Sequence, residues 1–255
     1  MGRTFVTTLL VLLITIPLFG MTSVAGLAPP LFSTPTPTGQ GKALILSSLE
    51  QYAPMGYRNQ IEQYLTNAGY QVTFMKDTNI TVNFLETQLN NYDLFIWRTN
   101  VYSWNHTTYW YVGELSTSGT AQTYASDISA GYLDGTNGII GVSFGWFHTH
   151  FGKGSLANVK LAILVSSESL NLTPILLKAG VESIIAYYGD FSIYDDMVDY
   201  GLRVVFSYLA EGRTVQNAVQ STVMLFYTQR LQDPLDSFYI PPIFNEGNST
   251  LTIKP

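Results

Sequence analysis

From Ala43 to Asp190 the chain alternates short apolar, β-branched runs with longer amphipathic segments, and this alternation limits the fold more than any other feature. "ALILSSL" reads as a strand, "YRNQIEQYLTNAGY" as an amphipathic helix and "QVTFMKD" as a second strand. "TVNFLETQLNNY" is a second helix and "DLFIWRTN" a third strand. Gly69 stands where a helix C-cap belongs, and Thr81 with Asn83 offers caps for the helix that follows. The stretch "KLAILVSSESLNLTPILLKAGVESIIAYYGD", Lys160 to Asp190, repeats the unit as strand, polar tetrad, helix and strand. Elements of these lengths predict an α/β fold with a mostly parallel sheet and helices on both faces. A parallel connection delivers the loop after its first strand to the carboxyl edge of the sheet, where α/β proteins place their chemistry. Ser166, Ser167, Glu168 and Ser169 are thereby offered to a ligand.

The middle of the chain is less regular. Residues 101–137 carry Tyr102, Trp104, Tyr109, Trp110, Tyr111, Tyr124 and Tyr132 among Ser, Thr and Gly, and only "TTYWYVGEL" sustains a period. The reading is a hairpin-rich insertion near the sheet edge. Its aromatics could stack on sugars or grip a peptide, or pack across strands. "NGIIGVSF" continues it as a hairpin strand, and "FHTH", with His148 and His150 two apart, reads as a strand.

Ahead of the domain, residues 1–25 combine one basic residue, Arg3, an apolar core from Phe5 to Phe19 and the small-residue run Ser23-Val24-Ala25. This reads as an export signal. An uncleaved membrane anchor is the alternative, but Thr7, Thr8, Thr15 and Pro17 interrupt the apolar stretch. Residues 26–40 follow as a Pro/Thr-rich linker, with Pro29, Pro30, Pro35 and Pro37 spaced by Ser and Thr, and the folded domain is expected over 41–255. Cleavage after Ala25 leaves 11 Lys and Arg against 18 Asp and Glu. An acidic exported protein without a basic stripe does not suit nucleic acid. The chain has no cysteine, so disulfides, thiolate metal sites and a cysteine nucleophile are all excluded.

With these residues in hand, the stretch from Lys160 to Val219 resembles the caspase-like peptidase superfamily, the group that includes caspases, gingipains and CHAT-domain proteins. The similarity lies in "LVSSESLN", "PILLKAGVESIIAYYGDFSIYDD" and "VVFSYLAEGRTVQNAV". In CHAT-type members the fourth strand ends in a run like Ala-Cys-Glu-Ser. There follow a helix ending in Ala-Gly, a strand, an Asp-bearing loop, a long helix and a Gly turn. The resemblance aligns Ser167 with the family's cysteine and Asn100, after the third strand, with its histidine. It covers most of residues 41–229, apart from the insertion, and implies a caspase-like topology with both catalytic positions substituted.

The substitutions change the chemistry. A thiol titrates near a pKa of about 8.5 and is readily poised as thiolate, whereas a serine hydroxyl needs a base within reach when it attacks. Asn100 cannot accept that proton. Ser167 then either fills the old cysteine's place and caps a helix beginning near Leu170, or attacks with His106 or His148 as an alternative base. All three histidines, His106, His148 and His150, precede Ser167 in the chain. Asp190, Asp195, Asp196 and Asp199 form the densest acidic cluster. By the resemblance, Asp190 and Asp195 border a substrate edge; as plain sequence, acids before a helix near Met197 meet the positive end of its dipole. There is no EF-hand spacing, and no third ligand stands at a diagnostic spacing from the histidine pair, so no metal or cofactor is assigned. Four Asn-X-Thr sequons occur, at Asn79, Asn105, Asn171 and Asn248, and a glycan on Asn171 would argue against catalysis at Ser167.

The expectation is an exported, single-domain α/β protein, secreted or at the cell surface, degenerate at its catalytic positions and acting as a binding or regulatory module. A peptide, protein or glycan is the expected partner in the cleft. The alternatives are a hydrolase built on Ser167 and a carbohydrate-binding surface protein built on the aromatics of residues 101–133.

Overall fold

A computed structural model describes residues 41–189, 191–193, 196–232 and 242–253. The export-signal and linker readings, and the site candidates Asp190 and Asp195, lie outside the described residues.

The strands and helices occur in the order β1 (Gly41–Ser47), α1 (Arg58–Asn67), β2 (Tyr70–Lys76), α2 (Val82–Gln88), β3 (Leu94–Arg98), β4 (Val101–Trp104), β5 (Thr107–Leu115), α3 (Ser118–Thr123), α4 (Ala125–Ser129), β6 (Leu133–Asp134), β7 (Ile139–Ser143), α5 (Phe144–His150), β8 (Leu161–Val165), α6 (Thr173–Ala179), β9 (Ser183–Tyr187), α7 (Asp196–Ala210), α8 (Val215–Gln232) and β10 (Ile243–Gly247). Six strands form the main sheet in the order β10-β9-β8-β3-β1-β2. Five of them run parallel, and β10 closes one edge antiparallel to β9. The expected α/β class with a mostly parallel sheet is thus the architecture found.

Side-chain alternation along the strands builds two cores. Leu44, Leu46, Phe95, Trp97, Ala162, Leu164, Ile184 and Ala186 face one side, where residues of α2, α5 and α6 cover them. Ala43, Ile45, Leu94, Ile96, Leu161, Ile163, Ile185 and Tyr187 face the other, against α1, α7 and α8. Helix boundaries follow capping chemistry. The Thr81 hydroxyl accepts from the Phe84 N–H at 3.0 Å and opens α2. Gly180 ends α6 with φ of 108°, and a Cβ there would come within 3.0 Å of the Ala157 Cα, so both conformation and space call for glycine.

The insertion leaves the main sheet directly after β3 and forms a second, antiparallel sheet in the order β4-β5-β7-β6. Two findings correct the sequence reading here. Residues 118–129 are not hairpin but the short helices α3 and α4, the first opened by a reciprocal Thr117–Thr120 cap. "FHTH" is not a strand but the end of α5, because Trp146, Phe147 and Phe151 bury on one helical side while His148 stays exposed. Of the two readings left open for the aromatics of residues 101–133, packing across strands describes most of them, with Trp104 exposed. Tyr102 stacks on Tyr109 at 5.4 Å between ring centroids and meets Tyr111 at a tilt at 4.6 Å, and Trp110 is buried.

Candidate functional site at the carboxyl edge

The carboxyl ends of β1, β3 and β8 lie side by side in the sheet, so Ser47, Arg98 and Val165 share one edge. Beyond them the backbone continues the ladder for one step, with Ser48 N–H donating to the Arg98 carbonyl at 3.0 Å and Thr99 N–H to the Val165 carbonyl at 3.1 Å. Asn100 and Ser166 therefore emerge from adjacent strands, with Ser167 one residue further on.

The serines of "SSES" are spent on backbone. The Ser167 hydroxyl donates to the Phe191 carbonyl and accepts from the Phe191 N–H at 3.3 Å. Ser169 Oγ sits 2.9 Å from the Leu164 carbonyl and 3.0 Å from the Tyr187 carbonyl, and it accepts from the Tyr187 N–H at 3.0 Å. Ser166 donates to the carbonyl of Ser167 at 3.1 Å. All three are buried. Together they rivet the end of β8 to β9 and to the loop beyond it. Glu168 is half-buried and left-handed at φ 57°, and its carboxylate accepts from Asn171 Nδ2 at 3.0 Å. The expectation that Ser167 caps a helix is corrected: a short 3-10 turn at Ser169–Leu172 precedes α6, and its first residue receives no side-chain cap.

The histidines are placed elsewhere. His106 stands exposed at the β4–β5 turn, and His148 is exposed on α5. His150 is held between Glu86 at 3.1 Å and Asp127 at 3.2 Å and stacks on Trp146. Neither hydrogen bond of the Ser167 hydroxyl involves a histidine. Among the described residues no cluster of three or more His, Asp or Glu side chains is placed to hold a metal ion.

What the sequence did not disclose is the charged group at the centre of this edge. Arg98, which closes the apolar strand "LFIWR", is 1% exposed. Its five N–H groups all find acceptors. Nε and Nη2 grip the Asp199 carboxylate at 2.7 and 3.0 Å. Nη1 reaches the Ala53 carbonyl at 2.7 Å and Ser47 Oγ at 3.5 Å, and Nη2 also reaches the Ile193 carbonyl at 2.7 Å. Asp199 receives in addition the Gly56 N–H at 2.7 Å. Nearby, the Glu50 carboxylate accepts from Ser47 Oγ at 2.6 Å and from the Met55 N–H at 3.0 Å. Burial raises the pKa of the Asp199 carboxyl above its ordinary value, while the Arg98 charge and hydrogen bonds pull it down. Asp199 lies in the first turn of α7, where the dipole reading put it, and from there it also neutralises a buried guanidinium. The network ties the loop after β1, the end of β3, the loop before α7 and α7 itself into one plug over the carboxyl edge.

Compared with protein-family models and with curated proteins, the chain matches none. No described helix is long and apolar enough to cross a membrane.

Proposed function

We propose that the chain is an exported domain of caspase-like topology in which the catalytic pair has been lost, and that it works as a binding or regulatory module at the cell surface. One observation carries the reading. Of the two positions that the resemblance gives to a histidine and a cysteine, one is Asn100, which has no basic nitrogen, and the other is Ser167, a buried hydroxyl committed to both backbone groups of Phe191. A serine nucleophile needs a base within about 2.6–3.2 Å, and the partner of this hydroxyl is a peptide group.

The element order supports the caspase-like part of the proposal. Ser167 follows the fourth strand of the main sheet in chain order, and Asn100 follows the third. After Ser167 come a helix ending in Ala179-Gly180, a strand, a loop, the long α7, and the turn at Gly212 before α8. The expected occupant of the cleft is a peptide, protein or glycan. The test is hydrolysis: the purified protein and its Ser167→Ala variant are both expected to leave peptide and ester substrates uncleaved. Turnover by the parent that disappears in the variant would overturn the reading in favour of a serine hydrolase.

A further inference from the structure

The four sequons differ sharply in how their amides are used. Asn171 donates its amide to Glu168, and its Thr173 hydroxyl is bonded to the Leu170 carbonyl. Asn248 donates to Glu182 and accepts from both the N–H and the hydroxyl of Thr250. At Asn79 the amide is exposed, but the Thr81 hydroxyl caps α2. Asn105 resembles Asn79 in its exposed amide, and its Thr107 hydroxyl is likewise engaged, by Tyr109, but it alone of the four stands at a hairpin tip beside an exposed tryptophan. It is exposed, its amide has no hydrogen-bond partner among the described residues, and it occupies the tip of the β4–β5 hairpin.

The geometry of that tip is specific. Trp104 and Thr107 pair across a two-residue turn whose central residues, Asn105 and His106, have φ of 47° and 63°. Two left-handed residues in succession make a type I′ turn, in which Asn is favoured at the first place and Gly, not His, at the second. Trp104, immediately before the Asn, is 55% exposed, whereas Trp97, Trp110 and Trp146 are buried. A large indole left in water beside a projecting, unengaged amide is an apolar face without a partner. The C–H face of a pyranose ring suits it, because those weakly positive hydrogens meet the negative face of the aromatic ring.

We infer that Asn105 is an N-glycosylation site whose first sugar packs on the Trp104 indole. The inference rests on the export reading, since the sugar donor is met along an export route. The donor is a lipid-diphosphate-linked oligosaccharide. A bond forms between Asn105 Nδ2 and the anomeric carbon, and the bond from that carbon to the diphosphate oxygen breaks. The lipid diphosphate leaves with the electron pair, and the amide gives up one proton. The attached glycan also shields the outer edge of β4, the terminal strand of the second sheet, from pairing with another chain.

The full chain is produced through a secretory route whose transferase accepts Asn-X-Thr, and the exported protein is deglycosylated in heavy-oxygen water so that mass spectrometry marks each formerly occupied asparagine. Asn105 is expected to carry the highest occupancy and Asn248 the lowest. Asn105→Asp, which keeps a residue tolerant of the turn, is expected to lower the Tm of the glycosylated protein by about 2–4 °C and to leave that of unglycosylated protein unchanged. In a Trp104→Ala background the same substitution should shift the Tm by less than half as much. Exported protein bare at Asn105 overturns the site, and an occupied Asn105 whose Tm increment ignores Trp104 overturns the packing. Protein retained inside the cell with every sequon bare overturns the export reading together with the site.

Discussion

The Ser167 hydroxyl holds Phe191 by both of its backbone groups, donating to the carbonyl and accepting from the N–H at 3.3 Å across 24 residues of sequence. The residue aligned with a nucleophile thus serves as a clamp on the loop that follows β9. Ser167→Ala leaves two peptide groups beside a buried Phe191 without this partner, at a cost of about 1–3 kcal/mol. The expected result is a lower denaturant midpoint with an unchanged slope, and faster hydrogen exchange at the Phe191 amide. A midpoint equal to that of the parent would show that the clamp does not contribute.

Arg98 bears on stability in a pH-dependent way. Removing it with Arg98→Met leaves Asp199 buried without its counter-charge, and breaking such a pair costs about 3–5 kcal/mol near neutral pH. The sign of the pH effect follows from Asp199. Its pKa is already raised by burial against the pull of Arg98, and losing Arg98 raises it further. A carboxyl with a raised folded-state pKa contributes stability that is fully present below its unfolded value, about 3.9, and is lost as pH rises through the folded value. The deficit of Arg98→Met relative to the parent should therefore be smallest near pH 4 and grow toward neutrality, read as the difference in unfolding free energy at each pH. A deficit constant over that range would contradict the role given to Asp199.

Tyr187 ends β9 fully buried, with a hydroxyl that has no hydrogen-bond partner among the described residues. Burial, and to a smaller degree the Asp199 charge, raise its pKa, so the phenol stays neutral. An unpaired buried hydroxyl is a liability. Tyr187→Phe should be neutral or stabilising by up to about 1 kcal/mol, seen as an unchanged or higher Tm. A loss of more than that would reveal a partner for the hydroxyl.

The main sheet was legible because its signal is local. "ALIL", "LFIW", "LAILV" and "SIIAY" each announce a buried strand, and Thr81 and Gly69 punctuate helices by chemistry that reads at short range. The features that escaped are long-range or weakly apolar. Arg98 and Asp199 lie 101 residues apart. The signal available was an arginine closing a wholly apolar strand, since a buried guanidinium demands an acid, but nothing local selects Asp199 from the cluster around it. The helices α3 and α4 bury no residue, so no apolar stripe advertised them. "FHTH" is too short for period two to exclude a helix, and the decisive spacing is that of Trp146, Phe147 and Phe151.

The proposed alignment of Asn100 with the superfamily's histidine can be tested by building the pair. Ser167→Cys alone puts a thiol where burial disfavours the thiolate, so its alkylation by iodoacetamide in the folded state should be slow and its pH profile that of an ordinary or raised pKa. Asn100→His alone supplies a base with nothing to deprotonate. Because β3 and β8 are adjacent parallel strands, the double variant places imidazole and thiol on neighbouring strand ends. An ion pair between them would lower the thiol pKa and bring the alkylation profile toward neutral pH. Both variants must first be shown to be folded, because the cysteine also loosens the Phe191 clamp. Profiles that coincide for the single cysteine and the double variant would count against the alignment of Asn100, and with it against the caspase-like ancestry of the site.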